Sequence, residues 1–153
     1  MKNFTLIVFL MISNVLFSQK IVFKGSSWNW PPTSNWSSDL TEAGNDYFGT
    51  YTSSTSQTKI SISNGKSDKT RVEVRKDDDW PPNLILQIKC TNRSKVDSGG
   101  KNFQTITDND AFFLTTDNGN QTDIPLQYSI NGISVLLPVK DYTTTIWFTV
   151  SDD

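Results

Sequence analysis

Histidine is absent from all 153 residues of the chain, and cysteine occurs once, at Cys90. Without an imidazole, the chain has neither a histidine-based catalytic triad nor a zinc site of the His-Glu-x-x-His type. A single cysteine cannot form an internal disulfide, so the fold has to be stabilised by packing. We therefore expect a protein that is not an enzyme and binds no cofactor and no metal. A hydrolase built on paired carboxylates is the alternative.

Long apolar runs are also missing, except at the start of the chain. Residues 4–17 are almost wholly apolar and follow Lys2, and a polar chain begins at Ser18. This pattern is typical of a secretory signal peptide and is too short for a membrane span. We predict a cleaved leader, 1–18, and one secreted domain, 19–153, exported by a bacterium to the periplasm, the cell surface or the medium.

The chain has no excess of positive charge. Its 14 basic and 16 acidic residues give a net charge of −2, which disfavours nucleic acid as a partner. The acidic residues cluster at 77–79 and 117–123, where their oxygens suit calcium, although the spacing of a helix-flanked calcium loop is missing. We interpret both segments as solvated turns, with calcium sites as the alternative.

Helical periodicity is absent after the leader, whereas alternation of apolar and polar residues recurs. Short alternating segments separated by turn-forming clusters predict an all-β chain, arranged as an antiparallel β-sandwich of about eight to ten short strands. Cys90 continues one of these series, so we expect a buried thiol, with pairing to another molecule as the alternative. The stronger series are Ile60–Ile62, Val72–Val74, Leu84–Cys90 and Tyr142–Val150, and the weaker ones are Lys20–Lys24, Tyr47–Tyr51, Phe103–Thr107 and Ala111–Thr115.

The strongest local turn signal is Asn131-Gly132. It separates the alternating residues 124–130 from the alternating residues 133–137. An Asn-Gly pair supplies the two positive φ angles of a type I′ turn. The sequence therefore predicts a β-hairpin centred on this pair.

Five tryptophans are many for a domain of this size. Trp28, Trp30, Trp36 and Trp80 lie in segments rich in Pro, Ser, Asn or Asp. They are interpreted either as covers over the ends of the sandwich, as a platform that stacks on polysaccharide, or as a protein contact. Trp147 lies out of phase with the apolar residues of its strand, so it should point outward, either under a crossing loop or as an assembly contact.

Residues 133–153 resemble the closing strands of secreted spore-coat-U-like and fimbrial-type bacterial β-sandwich proteins. The resemblance is carried by Ile133-Ser134-Val135, Pro138, Asp141 to Ile146 and Thr149-Val150. It implies an immunoglobulin-like sandwich used in surface structures. The leading hypothesis is thus a secreted, non-enzymatic structural or interaction protein, by self-assembly or with a protein partner. A carbohydrate-binding module is the alternative.

Overall fold

A computed structural model describes most of the predicted domain. The described residues are 20–28, 49–63, 69–77, 79–117, 120–138 and 141–152. The predicted leader, 1–18, lies outside them, as do Trp30 and Trp36.

The described residues form ten β-strands and one short 3-10 turn, Arg93–Lys95, which confirms the all-β prediction. The predicted strands at 60–62, 72–74, 84–90 and 111–115 are all present, and only the last part of the closing series is a strand. The strands are β1 Lys20–Gly25, β2 Tyr51–Thr52, β3 Thr58–Ser63, β4 Thr70–Lys76, β5 Ile85–Cys90, β6 Ser98–Gly99, β7 Gln104–Thr105, β8 Ala111–Thr116, β9 Asn120–Asn131 and β10 Ile146–Asp152.

The strands pair into two antiparallel sheets. The first has the order β1-β3-β9-β5-β7, with β2 also pairing with β9, and the second has the order β10-β4-β8-β6. From β4 onward, each described strand lies in the other sheet from the strand before it, and β2 and β3 share the first sheet without pairing with each other. Consequently no two consecutive strands of the described chain are neighbours, and the fold is built from long-range pairings.

One buried core lies between the two sheets, as in a β-sandwich. Alternation explains its composition, because every second residue of a strand points to the same face. The first sheet supplies Ile60, Ile62, Leu86, Ile88, Cys90, Ile124, Leu126 and Tyr128, and the second supplies Val72, Val74, Phe113 and Leu114.

A β-bulge allows two consecutive residues of β8 to enter the core. Val72 pairs with Leu114 and Glu73 pairs with Phe112, so the register shifts by one residue at Phe113. As a result Phe113 and Leu114 are both fully buried. A bulge of this kind redirects a side chain that strict alternation would point to solvent.

The predicted Asn131-Gly132 hairpin is wrong. Residues 124–130 do form a strand, but β9 ends at Asn131 and residues 133–137 are not a strand. The physical reason is that both sides of β9 are already occupied, by β5 on one side and by β3 and β2 on the other. Gly132 does adopt a positive φ of 81°, while Asn131 does not, so the two-residue type I′ geometry is not met.

Candidate functional site

Two of the four loop tryptophans are described, and both pack against the core. The ring of Trp28 stacks on that of Tyr128, with centroids 6.5 Å apart and an interplanar angle of 18°. The indole N–H of Trp80 donates to the carbonyl of Leu84, which precedes β5. These contacts make Trp28 and Trp80 part of the packing. A polysaccharide platform that includes Trp30 and Trp36 stays a prediction, since these two residues lie outside the described residues.

Trp147 points outward, as the alternation predicted, and 48% of its surface is exposed. Its position is held from two directions. The indole Nε1 donates a hydrogen bond of 2.7 Å to Oδ1 of Asp77. The guanidinium of Arg75, the residue opposite Trp147 in the β4–β10 register, lies over the ring, with Cζ 5.3 Å from the centroid. The indole is therefore a fixed platform rather than a free side chain.

The neighbours of Trp147 form a network of opposite charges. Nε of Arg75 lies 3.6 Å from Oδ1 of Asp110. The hydrogen bond from Trp147 is the main reason that the pKa of Asp77 lies below its ordinary value, and Arg75 adds a smaller effect. Asp77 is thus a carboxylate at neutral pH and keeps the indole oriented. We call this group the Trp147 cluster: Trp147, Arg75, Asp77 and Asp110.

A second aromatic residue lies on the same outer face of the four-stranded sheet. The guanidinium of Arg71 lies over the ring of Phe112, with Cζ 4.8 Å from the centroid. Arg71 also forms a 3.0 Å ion pair with Glu73. Alternation along β4 puts Arg71, Glu73 and Arg75 on one side, and the face therefore combines planar aromatic groups with planar charged groups.

A surface pocket of about 260 Å³ is lined by residues just beyond the end of the β4–β10 pair. The pairing of β4 with β10 continues past Lys76, because the N–H of Asp77 donates to the carbonyl of Thr145 at 3.1 Å. The two chain segments that follow Asp77 and precede Thr145 enclose the pocket. We call it the end pocket, and it is lined by Asp79, Pro81, Asp141, Tyr142 and Thr143.

The arrangement suits binding by stacking and hydrogen bonding. The indole offers an apolar face, the carboxylates accept hydrogen bonds, and the Tyr142 hydroxyl donates to the carbonyl of Pro138 at 2.7 Å, which fixes the aromatic wall of the pocket. Within the described ranges, no group of three or more Cys, Asp or Glu side chains is placed to hold a metal ion.

The sequence alone indicates Trp147 but not its partners. Alternation predicts a wet strand face for Arg75, and the acidic run at Asp77 and Asp79 indicates a solvated turn. The sequence does not indicate that β10 pairs with β4. This pairing brings Asp77 and Trp147 together, although they are 70 residues apart in the chain. The sequence does predict that Trp147 and Arg75 point outward. It does not predict that the two residues lie opposite each other.

Cys90 is the most nucleophilic residue type in the chain and lies away from this face. It is buried, as predicted, with 1% of its surface exposed. Its thiol donates a hydrogen bond of 3.2 Å to the carbonyl of Asn92. Burial raises the pKa of the Cys90 thiol above its ordinary value. The thiol is therefore protonated at neutral pH and poorly reactive.

We expect the native protein to react with a thiol reagent such as 5,5′-dithiobis(2-nitrobenzoate) about 100-fold more slowly than the chain in guanidinium chloride, because reaction requires an opening of the core. The release of the coloured thiolate measures both rates. A Cys90→Ser variant supplies the background. Equal rates in the two solvents, or a disulfide-linked dimer on a non-reducing gel, would contradict a buried, unpaired thiol.

The described part of the chain contains no helix of the length and apolar character that crossing a membrane requires. Comparisons of the chain with protein-family models, with curated proteins and with solved structures find no match.

Proposed function

We propose that this chain is a secreted, non-enzymatic interaction protein of the bacterial cell surface or extracellular space, and that its contact surface is centred on Trp147. The observation that carries the proposal is the exposed but immobilised indole. Aromatic side chains are enriched at the centres of protein interfaces and in the linings of ligand sites. Because Asp77 and Arg75 already fix the ring, binding would cost little side-chain entropy.

The predicted leader, 1–18, supports export, and both the leader and the cleavage site after Ser18 are part of the proposal. The likeness of 133–153 to spore-coat-U-like proteins likewise remains a prediction, and the immunoglobulin-like topology that it implies is not confirmed. An immunoglobulin-like sandwich contains several pairs of consecutive strands within one sheet. The alternation between sheets from β3 to β10 supports a jelly-roll-like winding instead.

Polysaccharide binding through Trp28, Trp30, Trp36 or Trp80 is the other function that the sequence predicted. The packing of Trp28 and Trp80 against the core favours a structural role for these two residues. The Trp147 surface is therefore the better supported contact.

To test the proposal, the tagged full-length chain is expressed in its source cells. The amount of exported protein that stays on the washed cells is then measured. We expect Trp147→Ser to reduce retention by about 30-fold, which is typical of losing the central aromatic residue of an interface. Mass spectrometry of the exported product should place its first residue at Gln19.

Ile85→Ser is the matched control, because Ile85 is also a half-exposed apolar side chain, 41% exposed, but lies in the other sheet. It should leave retention unchanged. Equal retention of the wild type and Trp147→Ser, with both chains folded, would overturn the proposed contact surface. A product that stays inside the cell would overturn secretion.

A further inference from the structure

The chemistry of the surface around Trp147 indicates which class of partner it can bind. Trp147 is its largest exposed apolar side chain, and the outward residues beside it on β4 and β10 are charged or hydroxylated. A stable protein interface buries about 800 Å² on each partner around an apolar, uncharged centre. One indole ringed by charges of both signs does not offer such a centre. A small polar ligand with one apolar face fits it better.

The charges also discriminate between classes of small ligand. The Trp147 cluster and the end pocket together contain four carboxylates, Asp77, Asp79, Asp110 and Asp141, and one guanidinium, Arg75. This excess of negative charge disfavours phosphates and acidic sugars. A cationic ligand is disfavoured at the indole, because the Arg75 guanidinium already lies over the ring. The charges therefore favour a neutral ligand that both stacks on the indole and forms hydrogen bonds.

Neutral sugars have this combination of properties. The C–H groups of a pyranose present an apolar face that packs on an aromatic ring, while its hydroxyls donate to carboxylates and accept from guanidinium groups. Hydrogen bonds to ionised partners are the stronger kind. The surface supplies all three kinds of group close together, because the Trp147 ring contacts both the Asp77 carboxylate and the Arg75 guanidinium, and Asp110 lies 3.6 Å from Arg75.

The dimensions favour more than one sugar ring. The end pocket, at about 260 Å³, lies just below the usual range for drug-sized ligands, so it suits a single ring. Thr143 lines the pocket and Trp147 is four residues further along, which is at most about 13 Å of extended chain. A short oligosaccharide lying along the β4–β10 pair can contact both places.

We propose that the Trp147 cluster and the end pocket form one binding site for a neutral oligosaccharide, with Trp147 as the stacking platform and the end pocket as the subsite for a further ring. This inference rests on the proposed function, because it names the partner class of the same surface. The sequence prediction placed polysaccharide binding on the loop tryptophans, whereas this inference places it on Trp147.

The test is affinity electrophoresis of the exported protein through native gels that contain xylan, laminarin, mannan or hydroxyethyl cellulose. We expect retardation in at least one of these neutral polysaccharides and none in polygalacturonate, which carries the wrong charge. Trp147→Ala should weaken the apparent affinity by about 30-fold. Asp141→Asn, which keeps the shape of a pocket side chain but removes its charge, should weaken it by about tenfold.

Ile85→Ser serves again as the control and should migrate like the wild type in every gel. Thermal melts of all variants check that they fold. Absence of retardation in all four neutral gels, or retardation that Trp147→Ala leaves unchanged, would overturn the oligosaccharide site. If cell retention still depends on Trp147 in that case, the partner is a protein and the proposed function survives. If no neutral gel retards the protein and cell retention does not depend on Trp147, both proposals are overturned.

Discussion

Replacing Phe113 with alanine is expected to lower the free energy of unfolding by about 3–5 kcal/mol, the usual cost of removing a buried phenylalanine. Phe113 is the largest fully buried side chain among the described residues, and its ring packs edge-on against that of Phe148, with centroids 6.4 Å apart. It enters the core at a bulge, where the backbone of β8 is held by pairing on both sides. The site therefore has little freedom to collapse around the cavity.

The loss is a large share of the whole, since domains of this size are stable by about 5–15 kcal/mol. Urea unfolding followed by circular dichroism measures it. Phe23→Ala is the matched control, because Phe23 also contacts Phe148, at 5.4 Å between centroids, but is 49% exposed. We expect it to cost about 1 kcal/mol. Similar losses for the two variants would show that Phe113 is not at the centre of the core.

The second large effect is expected for Gly132→Ala, at about 2–5 kcal/mol, from two independent causes. Gly132 has a φ of 81°, a region that residues with a Cβ enter at a cost of about 1–2 kcal/mol. A Cβ there would also lie 1.9 Å from the carbonyl oxygen of Asn83. Backbone atoms have to move to relieve that overlap, which typically costs about 1–3 kcal/mol.

Gly100→Ala separates the two causes. Its φ of 55° is also positive, but the nearest atoms to a new Cβ belong to the Leu114 side chain, at 3.1 and 3.3 Å. The conformational cost of about 1–2 kcal/mol is then the main one expected, because the Leu114 side chain has to shift by only a few tenths of an ångström. Thermal melts of the two variants and the wild type give the comparison. A Gly132→Ala protein as stable as Gly100→Ala would mean that the close approach to Asn83 does not constrain the fold.

The faces of the strands followed from the sequence because alternation is a local property. Val72 and Val74 are buried, and Trp147 and Ile85 are exposed, as their phases required. The error at Asn131-Gly132 has the opposite origin. The pair is a strong local turn signal, but the last part of β9, which precedes it, already pairs with β5 on one side and β2 on the other, and that pairing is decided by distant residues.

The candidate site could be predicted only in part for the same reason. One side chain, Trp147, could be placed outward from its own strand alone. Its contacts with Asp77 and Arg75 depend on the β4–β10 register, and the end pocket depends on two segments that are about 60 residues apart in the chain. Composition contributes the other constraint, since the absence of histidine by itself excludes several kinds of catalytic site.

The sequence by itself determined the all-β class, the inward residues of the regularly alternating strands and the outward direction of Trp147, because each depends on the period-two geometry of an extended strand. Only the tertiary structure decided which strands pair, that Trp28 and Trp80 pack against the core, and that Arg75 and Asp77 hold the exposed indole in place. From β3 onward every described connection crosses from one sheet to the other, so each of those outcomes depends on residues far apart in the chain.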